Sequence, residues 1–532
     1  MAERQPGRPA VKIPRGRDAA GRIDYLELGF AGLDAEVNAW VNRLAGRGVR
    51  RGDRVLVMVR QGLPLIAAAF ALFKLGAVPV IIDPGMGRKN FLACVARSRP
   101  RVLLGIPAAQ LASRLFRGAF ASVEVRVWVS GAATARQPVG GAPAGAPMVE
   151  SDAGELAAVL FTSGSTGAPK GVCYTHGMFD AQVRLVRDAY GIAPGEVDLP
   201  MLPIFALFNP ALGLTTVVPE IDPSRPAAVE PEKIVAAIRQ EGVTNSFGSP
   251  TLWRKIFDHC LARGVTLPSL RRVLCAGAAV PASLWADAAR VLPHGRLHSP
   301  YGATEALPVA TLGADEYEFR PELGALLGRP LPANQVRVIP LTDRPLPGLA
   351  AAGDLPAGAV GEIVVAGPTV TREYDGLPEA TARAKMVDAA GAVWHRMGDA
   401  GRIDAAGRLW FCGRLAERVE TPAGTLHTEP VEQVFRGHPA VARCALIGLG
   451  PPGAQVPALV VQPAAGRGPG DGRLARELLA LAARHPHTAA ITRIYFHPAF
   501  PVDVRHNAKI HRLTLARWAG GARAFAGEAV RA

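Results

Sequence analysis

The sequence predicts an α/β protein with parallel sheet and at least two domains. Between residues 30 and 82 a segment with helical spacing is followed by strand, helix and strand, the alternation that builds parallel βαβ units. The chain has 532 residues, which is too many for one simple core. Its 49% hydrophobic and 20% charged residues are typical of a globular protein and exclude a disordered one.

The first βαβ unit can be followed residue by residue. Residues 30–45 have the spacing of an amphipathic helix, and a Gly-rich turn leads from it into a predicted strand at 55–59. The apolar run 63–82 resembles a membrane span in length, but it contains two prolines, a glycine and a lysine. We therefore predict a helix up to residue 75 and a short buried strand at 77–82.

Charge and cysteine content restrict the function classes. The net charge of +15 predicts an anionic partner, such as acidic membrane headgroups or an acidic protein. Basic residues are spread along the whole chain without aromatic interleaving, which argues against nucleic acid. Six scattered cysteines without a Cys-x-x-Cys pair argue against disulfides and a zinc site, and residues 1–17 lack the apolar segment of a secretory signal. The expected location is the cytoplasm.

Lysine is rare in this chain, and its positions are therefore informative. Of 60 basic residues only eight are lysines, so arginine is used wherever the chain merely needs positive charge. A lysine within a motif therefore indicates that an ammonium group is required there. Lys170 lies beside glycines and hydroxyl residues in the run described next.

Residues 160–171 form a Gly/Ser-rich loop with the chemistry of a phosphate site. Apolar residues 157–161 predict a strand that feeds the loop, which a flexible linker would not have. Glycines let backbone N–H groups approach an anion, hydroxyls add donors, and a lysine adds positive charge. The loop lacks the Gly-Lys-Ser/Thr end of a Walker A motif. The candidate residues are Thr162, Ser163, Gly164, Ser165, Thr166, Gly167 and Lys170.

This run resembles the signature loop of the adenylate-forming superfamily, which contains acyl-CoA synthetases, luciferases and the adenylation domains of peptide synthetases. The resemblance implies that the loop holds the pyrophosphate part of ATP. Further motifs follow in the order of the family: Tyr-Gly-Ala-Thr-Glu at 301–305, Trp-His-Arg-Met-Gly-Asp at 394–399, Gly-Arg at 413–414 and the lysine segment at 501–512. The resemblance covers about residues 30–512.

The resemblance also implies roles for the residues that would bind adenine, phosphate and metal. The small-residue turn with Gly277 and Ala278 would flank the adenine, and Tyr301 would stack on it, with Gly302 next in the same motif. Thr304 would contact the α-phosphate. Glu305 would bind Mg²⁺, a hard cation that prefers oxygen ligands.

Three further positions complete the site that the family implies. Asp399 would accept hydrogen bonds from the ribose hydroxyls, and Arg414 would reach the ribose or the α-phosphate. Lys509 would lie between the substrate carboxylate and the α-phosphate, although Ala508 replaces the usual preceding glycine. The predicted catalytic residues are Lys509, Glu305, Thr304 and Lys170.

The family implies a fold of two domains. Residues 1–413 would form a large N-terminal domain of several subdomains, with mixed and parallel sheets and a small β-barrel-like part. Residues 414–532 would form a small, mobile α+β domain that carries the catalytic lysine. Phe205 and Phe208 take the place of an aromatic-and-His segment of many relatives, and they form either an acyl pocket wall or part of the core.

Two positions depart from the acyl-CoA synthetases. The usual hinge Asp or Lys is Ala416, and a lysine common four residues later is Glu420. The sequences of segments 161–176, 204–210 and 504–512 resemble those of the β-lactone synthetases of bacterial olefin biosynthesis, and the two departures agree with that branch.

That branch implies that a long-chain 2-alkyl-3-hydroxy fatty acid is adenylated and then cyclised through its own 3-hydroxyl, with release of AMP and pyrophosphate. It also implies assembly with other olefin-pathway enzymes. The alternative is a long-chain acyl-CoA synthetase or acyl-AMP ligase. A third possibility, an inactive scaffold, is disfavoured because the charged residues of the motifs are all present: Lys170, Glu305, Asp399, Arg414 and Lys509. His176 is either the base for the hydroxyl or, more in keeping with its position, a core or helix-start residue.

Overall fold

The computed structural model describes residues 1–129, 148–161, 168–222, 228–464, 472–502 and 509–526. The chain divides into two compact units. The first contains residues 1–314 and 367–385, and the second contains 315–366 and 386–532. The predicted domain boundary between residues 413 and 414 lies inside the second unit and stays a prediction.

Ten of the helices in the described part of the chain lie in the first unit. Several begin at a residue pattern that favours a helix start, such as the Thr175 side chain that accepts a hydrogen bond from the Met178 amide. They are α1 (Phe30–Gly46), α2 (Leu63–Lys74), α3 (Arg88–Ser98), α4 (Pro107–Leu115), α5 (His176–Tyr190), α6 (Asn209–Leu212), α7 (Pro231–Glu241), α8 (Pro250–Ala262), α9 (Ala282–Val291) and α10 (Pro378–Ala384).

The strands of the first unit form two sheets. They are β1 (Pro9–Arg17), β2 (Ile23–Gly29), β3 (Arg54–Met58), β4 (Val78–Ile81), β5 (Val102–Gly105), β6 (Val125–Trp128), β7 (Leu156–Phe161), β8 (Gly171–Thr175), β9 (Val197–Pro200), β10 (Thr215–Val217), β11 (Asn245–Gly248), β12 (Arg272–Cys275), β13 (Arg296–Ala303) and β14 (Ala306–Gly313).

One sheet has the order β6-β5-β3-β4-β7-β8. Its pairs are parallel except for β7 and β8, which are antiparallel. The predicted strand, helix and strand between residues 55 and 82 are confirmed as β3, α2 and β4. α1 and α2 pack their apolar residues with this sheet in one core that includes the fully buried Trp40.

The other sheet of the first unit runs β14-β13-β12-β11-β9-β10-β1-β2. All neighbours from β13 to β1 are parallel, and the outer strands β14 and β2 are antiparallel to their partners. Because parallel strands end at the same edge, the turns after β9, β11 and β12 lie side by side. This edge carries several of the predicted nucleotide-binding residues.

In its described residues, the second unit is built from antiparallel and mixed sheets with three α-helices. Its strands are β15 (Ala325–Pro330), β16 (Gln335–Ile339), β17 (Gly361–Ala366), β18 (Lys385–Val387), β19 (Val393–Ile403), β20 (Leu409–Arg414), β21 (Val419–Thr421), β22 (Gly424–Leu426), β23 (Val441–Leu449), β24 (Val456–Pro463), β25 (Arg493–Phe496) and β26 (Phe525–Ala526). Its helices are α11 (Thr428–Arg436), α12 (Gly472–Ala483) and α13 (Arg512–Ala519).

β16, β17, β19, β20 and β15 pair antiparallel in that order. β21 and β22 form a hairpin, and β23, β24, β25 and β26 form a separate four-stranded sheet. Residues from Val419 to Phe525 pack around this sheet in two apolar clusters of their own. The predicted mixed α/β class is confirmed.

The described residues contain no helix that is long and apolar enough to cross a membrane. The apolar run at 63–82, which has the length of a membrane span, is divided between α2 and β4.

Candidate active site

The predicted phosphate loop leaves the sheet where the sequence predicts. β7 ends at Phe161, and the chain returns to the same sheet at Gly171, the first residue of β8. The predicted loop residues 162–167 lie outside the described residues. A Cβ atom on Gly171 would come within 2.9 Å of the Phe161 and Val159 side chains, so close packing requires glycine there.

Lys170 is held by an aromatic ring. Its ammonium nitrogen lies 4.6 Å from the centre of the Tyr374 ring, a cation–π contact. The Tyr374 hydroxyl donates a hydrogen bond to Glu305 Oε1 at 2.7 Å. One buried tyrosine therefore connects the predicted phosphate-binding lysine with the predicted metal-binding carboxylate.

Thr304 and Glu305 occupy the turn between β13 and β14. The Tyr174 hydroxyl donates to the Thr304 carbonyl, which fixes the backbone of the turn. A Cβ atom on Gly302 would lie 2.6 Å from the Ala306 carbonyl oxygen, so the sharp reversal needs a glycine. Desolvation raises the pKa of the Tyr174 phenol, which keeps it a neutral hydrogen-bond donor.

The segment 367–385 holds the Glu305 backbone as well as its side chain. The Thr371 amide donates to the Glu305 carbonyl at 2.9 Å, and the Thr371 hydroxyl contacts the same oxygen at 3.2 Å. Asp375 anchors the segment through a two-pronged ion pair with Arg54, at 2.7 and 2.9 Å. Glu305 is thereby positioned by residues about 65–70 positions later in the chain.

Lys385 is a titratable residue of this site that sequence reasoning missed. Its side chain is only 8% exposed, and its ammonium donates to Thr371 Oγ1 at 3.1 Å. Burial lowers the pKa of Lys385 to about 7, Glu305 acts to raise it, and Lys170 acts to lower it further. The scarcity of lysine was the signal available, because Lys385 is one of only eight.

The predicted adenine-binding residues lie at the carboxyl edge of the second sheet. Gly277 and Ala278 lie two and three residues after the end of β12, and Tyr301 lies near the end of the adjacent strand β13. Gly277 has φ +100°, a conformation that residues with side chains rarely adopt. All three residues are half-buried, which leaves surface for a planar base to contact.

The two predicted pocket phenylalanines lie on a short helical turn, Pro203–Leu207, and the residue after it. Phe205 is half-buried and stacks on Phe247, with 3.8 Å between the ring centres. Phe208 packs against the cluster around Tyr190. Phe205 therefore stacks on a residue near the end of β11, where a ligand could contact it. Phe208 packs against the core.

His176 is the first residue of α5. Its ring lies 6.0 Å from the Phe73 ring in an edge-to-face arrangement. Burial lowers the pKa of His176, and Glu155 acts in the opposite direction. These surroundings agree with the helix-start interpretation.

A buried carboxyl group lies beside the predicted acyl pocket. Asp198 in β9 accepts a hydrogen bond from Asn209 at 2.8 Å, and Asn209 also donates to Thr216 at 3.0 Å. Desolvation raises the pKa of Asp198 to about 7, and the Asn209 hydrogen bond opposes that shift. The raised pKa makes the stability of the first unit depend on pH.

We expect Asp198→Asn to stabilise the protein at pH 8 by roughly 2–4 kcal/mol. The native carboxyl has a pKa above its unfolded value, so its contribution is fully present at low pH. That contribution is lost as the pH rises from about 4 to about 7. The check is urea unfolding of the variant and the wild type between pH 5 and pH 8. Asp180→Asn, which changes an exposed helical carboxylate, is the control; a stability difference that does not grow with pH would contradict the expectation.

In the second unit, Asp399 and Arg414 lie opposite each other on β19 and β20. Arg414 Nη1 is 2.7 Å from Asp399 Oδ1, and Asp399 is almost fully buried. A Cβ atom on Gly413 would lie 2.3 Å from Thr428 Oγ1, and this glycine has φ +140°. The structure therefore brings these two predicted ribose-binding residues into direct contact.

Lys509 lies next to an anchored residue. The following residue, Ile510, forms an antiparallel bridge with Val502, and Lys509 itself is half-buried. Residues 503–508, which include Ala508, lie outside the described residues. Two positions after Ile510, Arg512 begins α13 and forms ion pairs with Glu432 and Glu417 at 2.7 and 2.9 Å. The backbone on the carboxyl side of Lys509 is thereby fixed.

The donor set of the first unit suits magnesium but not a protein-only metal cage. Among the residues that the structure describes, no group of three or more His, Cys, Asp or Glu side chains could hold a metal. Glu305 offers one carboxylate, and Mg²⁺ is commonly bound by one or two carboxylates together with waters and substrate phosphates. The Lys170 ammonium, which lies over the Tyr374 ring beside Glu305, favours such phosphates.

Comparison with known proteins agrees with this geometry. Residues 1–375 match the family of AMP-binding enzymes. The chain is 45% identical over 536 residues to the olefin β-lactone synthetase of Xanthomonas campestris pv. campestris, covering 98% of this chain and 96% of that protein. It is 44% identical to the protein of the same name from Stenotrophomonas maltophilia, again over 98% of this chain and 96% of the relative.

A solved structure is similar over the same length. The amide bond synthetase McbA from Marinactinospora thermotolerans has a TM-score of 0.78 and 27% identity, and the match covers 96% of this chain and 97% of that one. The family model covers more than half of the chain, and the fold, the motif order and two relatives over nearly the full length all agree with it. The chain therefore belongs to the AMP-binding, adenylate-forming enzyme family.

Proposed function

We propose that the chain is an ATP-dependent β-lactone synthetase of olefin biosynthesis, acting on a long-chain 2-alkyl-3-hydroxy fatty acid. The observation that carries this proposal is its 45% and 44% identity, over nearly the whole length, to two olefin β-lactone synthetases. The link from Lys170 through Tyr374 to Glu305 supports an ATP-dependent first step.

In the proposed first step the substrate carboxylate attacks the α-phosphate of ATP and pyrophosphate leaves. Both reactants are anions, so the site must offset their repulsion. Lys170 is proposed to bind the pyrophosphate end, together with the loop residues 162–167, and Thr304 the α-phosphate. Glu305 is proposed to hold Mg²⁺, which would supply further positive charge when bound.

The nucleoside and the carboxylate are proposed to bind through the remaining predicted residues. Tyr301, with Gly277 and Ala278, would contact the adenine, and Asp399 with Arg414 would contact the ribose. Lys509 would lie between the carboxylate and the α-phosphate. We further propose that residues 414–532 act as a small mobile domain, since residues 419–526 have their own apolar clusters.

In the proposed second step the 3-hydroxyl oxygen attacks the acyl carbon. The bond between that carbon and the phosphate oxygen breaks, a four-membered lactone closes, and AMP leaves with release of the hydroxyl proton. The nucleophile is tethered to the electrophile, so its effective concentration is high and no thiol is needed.

The hinge region supports a reaction without CoA. Glu420, which replaces a common lysine, is paired with Arg418 at 2.8 Å, and Arg418 also pairs with Asp343 at 2.7 Å. The Glu420 amide donates to Gln455 at 2.7 Å. These contacts hold the segment that CoA synthetases use as a hinge.

We also propose a cytoplasmic location and peripheral contacts. All six cysteines are free and buried, which suits a reducing compartment. Leu111, Leu115 and Trp128 are exposed near arginines such as Arg114, which would suit contact with an acidic membrane surface. Assembly with other olefin-pathway enzymes is part of the same proposal and rests on the resemblance to that branch alone.

The function is tested by identifying the product. We expect the protein, incubated with Mg-ATP and a synthetic 2-alkyl-3-hydroxy acid, to form a β-lactone and AMP in equal amounts without CoA. Proton NMR of the organic extract at low temperature distinguishes the lactone ring from the open acid. The matched control is the 2-alkyl acid without the 3-hydroxyl, which should yield adenylate but no lactone.

An acyl-CoA product formed only when CoA is present would overturn the proposal in favour of an acyl-CoA synthetase. Accumulation of acyl-AMP with both acids would indicate an acyl-AMP ligase. Absence of any ATP turnover with either acid would point to an inactive scaffold.

A further inference from the structure

Lys385 is a buried lysine whose side chain makes one hydrogen bond among the residues that the structure describes. Its ammonium has three N–H donors. Among the described residues only Thr371 Oγ1 accepts one of them, at 3.1 Å, although the side chain is only 8% exposed. A buried ammonium group is costly unless acceptors or an anion surround it. The surroundings of Lys385 therefore suit a negatively charged ligand.

The neighbouring charges identify the kind of anion. Lys170 and Glu305 both act on Lys385 electrostatically, in opposite directions. Glu305 already accepts a hydrogen bond from the Tyr374 hydroxyl, and the Tyr374 ring contacts the Lys170 ammonium. An anion with several negative charges would balance the Lys170 ammonium and favour the protonated form of Lys385 beside it.

We propose that Lys385 is a second phosphate-binding lysine, which binds the pyrophosphate part of ATP together with Lys170. This inference rests on the proposed ATP-dependent function. The choice of pyrophosphate over the substrate carboxylate follows from the proximity to Lys170, which ends the predicted phosphate loop. Segment 367–385 then has two tasks: Thr371 and Tyr374 position Glu305, and Lys385 contacts the ligand.

A purely structural role makes a different prediction. Lys385 donates to the Thr371 hydroxyl, and that hydroxyl contacts the Glu305 carbonyl oxygen at 3.2 Å. If Lys385 only supported this chain of contacts, its loss would affect all nucleotides alike. If it binds pyrophosphate, its loss affects only nucleotides that carry the β- and γ-phosphates.

The test compares two nucleotides on Lys385→Met, which keeps most of the apolar length of the side chain and removes its charged amine. Isothermal titration calorimetry with Mg²⁺ measures the affinity for AMP and for an ATP analogue with a methylene bridge between the α- and β-phosphates. We expect the analogue to bind at least about tenfold more weakly, the loss of one charge-assisted hydrogen bond, while AMP affinity changes less than about twofold. Lys74→Met is the control, because Lys74 has its own partners, Asp34 and Asn38.

Equal weakening of both ligands, or of neither, would overturn the inference. A second measurement uses the wild-type protein and covers the case in which the variant does not fold. Acetic anhydride labelling of Lys385, followed by peptide mass spectrometry, should be slowed by the ATP analogue or by Mg-pyrophosphate and not by AMP. Labelling that both nucleotides slow equally, or that neither slows, would overturn it too. If the wild-type protein binds neither nucleotide, the proposed function fails. If it binds both, and neither the variant nor the labelling of Lys385 distinguishes the ATP analogue from AMP, only this inference fails.

Discussion

Lys509→Ala is expected to lower the rate of adenylate formation by roughly 10²–10³-fold, the cost of removing one charged group that stabilises a transition state. In the proposed first step two anions meet, and Lys509 would offset their repulsion as charge develops on the α-phosphate. Nucleotide binding should change little, because the adenine and pyrophosphate contacts come from other residues. The loss should therefore appear in kcat far more than in the KM for ATP.

The measurement is exchange of labelled pyrophosphate into ATP in the presence of the hydroxy acid. Calorimetric titration with the methylene-bridged analogue of ATP tests whether the variant still binds nucleotide. Lys233→Ala is the control, since Lys233 is partly exposed and pairs only with Glu230 at 2.8 Å among the described contacts. Exchange at more than a tenth of the wild-type rate in Lys509→Ala would contradict the role proposed for this lysine.

Local sequence patterns predicted the elements that depend on local physics. The helix and strand between residues 63 and 82 follow from hydrophobic spacing and the placement of glycine and proline, and the structure has them as α2 and β4. The strand before the phosphate loop was predicted in the same way and is β7. The chemistry of Lys170 and Glu305 could be predicted because glycines, hydroxyls and charges lie next to each other in short motifs.

The supports of those residues could not be predicted from local patterns. Tyr374, Thr371 and Lys385 belong to a stretch without a recognised motif, and they reach Glu305 only because the chain folds back on itself. The ion pair between Arg54 and Asp375, which anchors that stretch, joins residues 321 positions apart. The periodic spacing of apolar residues predicts helices and strands, but it does not predict contacts between residues so far apart in the sequence.

The same folding back explains how the chain divides into compact units. Hydrogen bonds from Asp375 to the Gly171 carbonyl and from Thr371 to the Glu305 carbonyl join residues 367–385 to the first unit. The predicted boundary at 413/414 rests on a motif, Gly413-Arg414, and stays a prediction.

Arg512→Met is expected to destabilise the second unit by roughly 3 kcal/mol, the lower end of the cost of breaking a buried ion pair. Arg512 makes two bonds to Glu432, each 2.7 Å, and one to Glu417 at 2.9 Å. Glu432 is fully buried and retains a second partner in Arg436 at 2.7 Å, whereas Glu417 would lose its ion-pair partner and keep only the smaller electrostatic effect of Arg414. The cost therefore arises mainly from the poorly compensated carboxylate at Glu417.

The matched control is Arg517→Met on the same helix α13. Arg517 is exposed and bonds only to Leu513 and Thr514 among the described contacts, so its loss should change stability by less than about 0.5 kcal/mol. Hydrogen exchange of peptides from residues 415–526 measures the opening free energy of this part of the chain without assuming a single unfolding transition.

The pH dependence of the stability distinguishes the effect of the lost Arg512 charge from the effect of lost packing. Burial already raises the pKa of Glu417, and Arg512 opposes that effect. Without Arg512 the folded-state pKa of Glu417 rises further, so the penalty is largest at high pH and shrinks as the pH falls and the carboxyl is protonated. Adding Glu417→Gln to Arg512→Met should therefore recover a large part of the lost stability at pH 8 and little at pH 5. Equal deficits at both pH values, with no recovery in the double variant, would show that the methylene groups of Arg512 matter more than its charge.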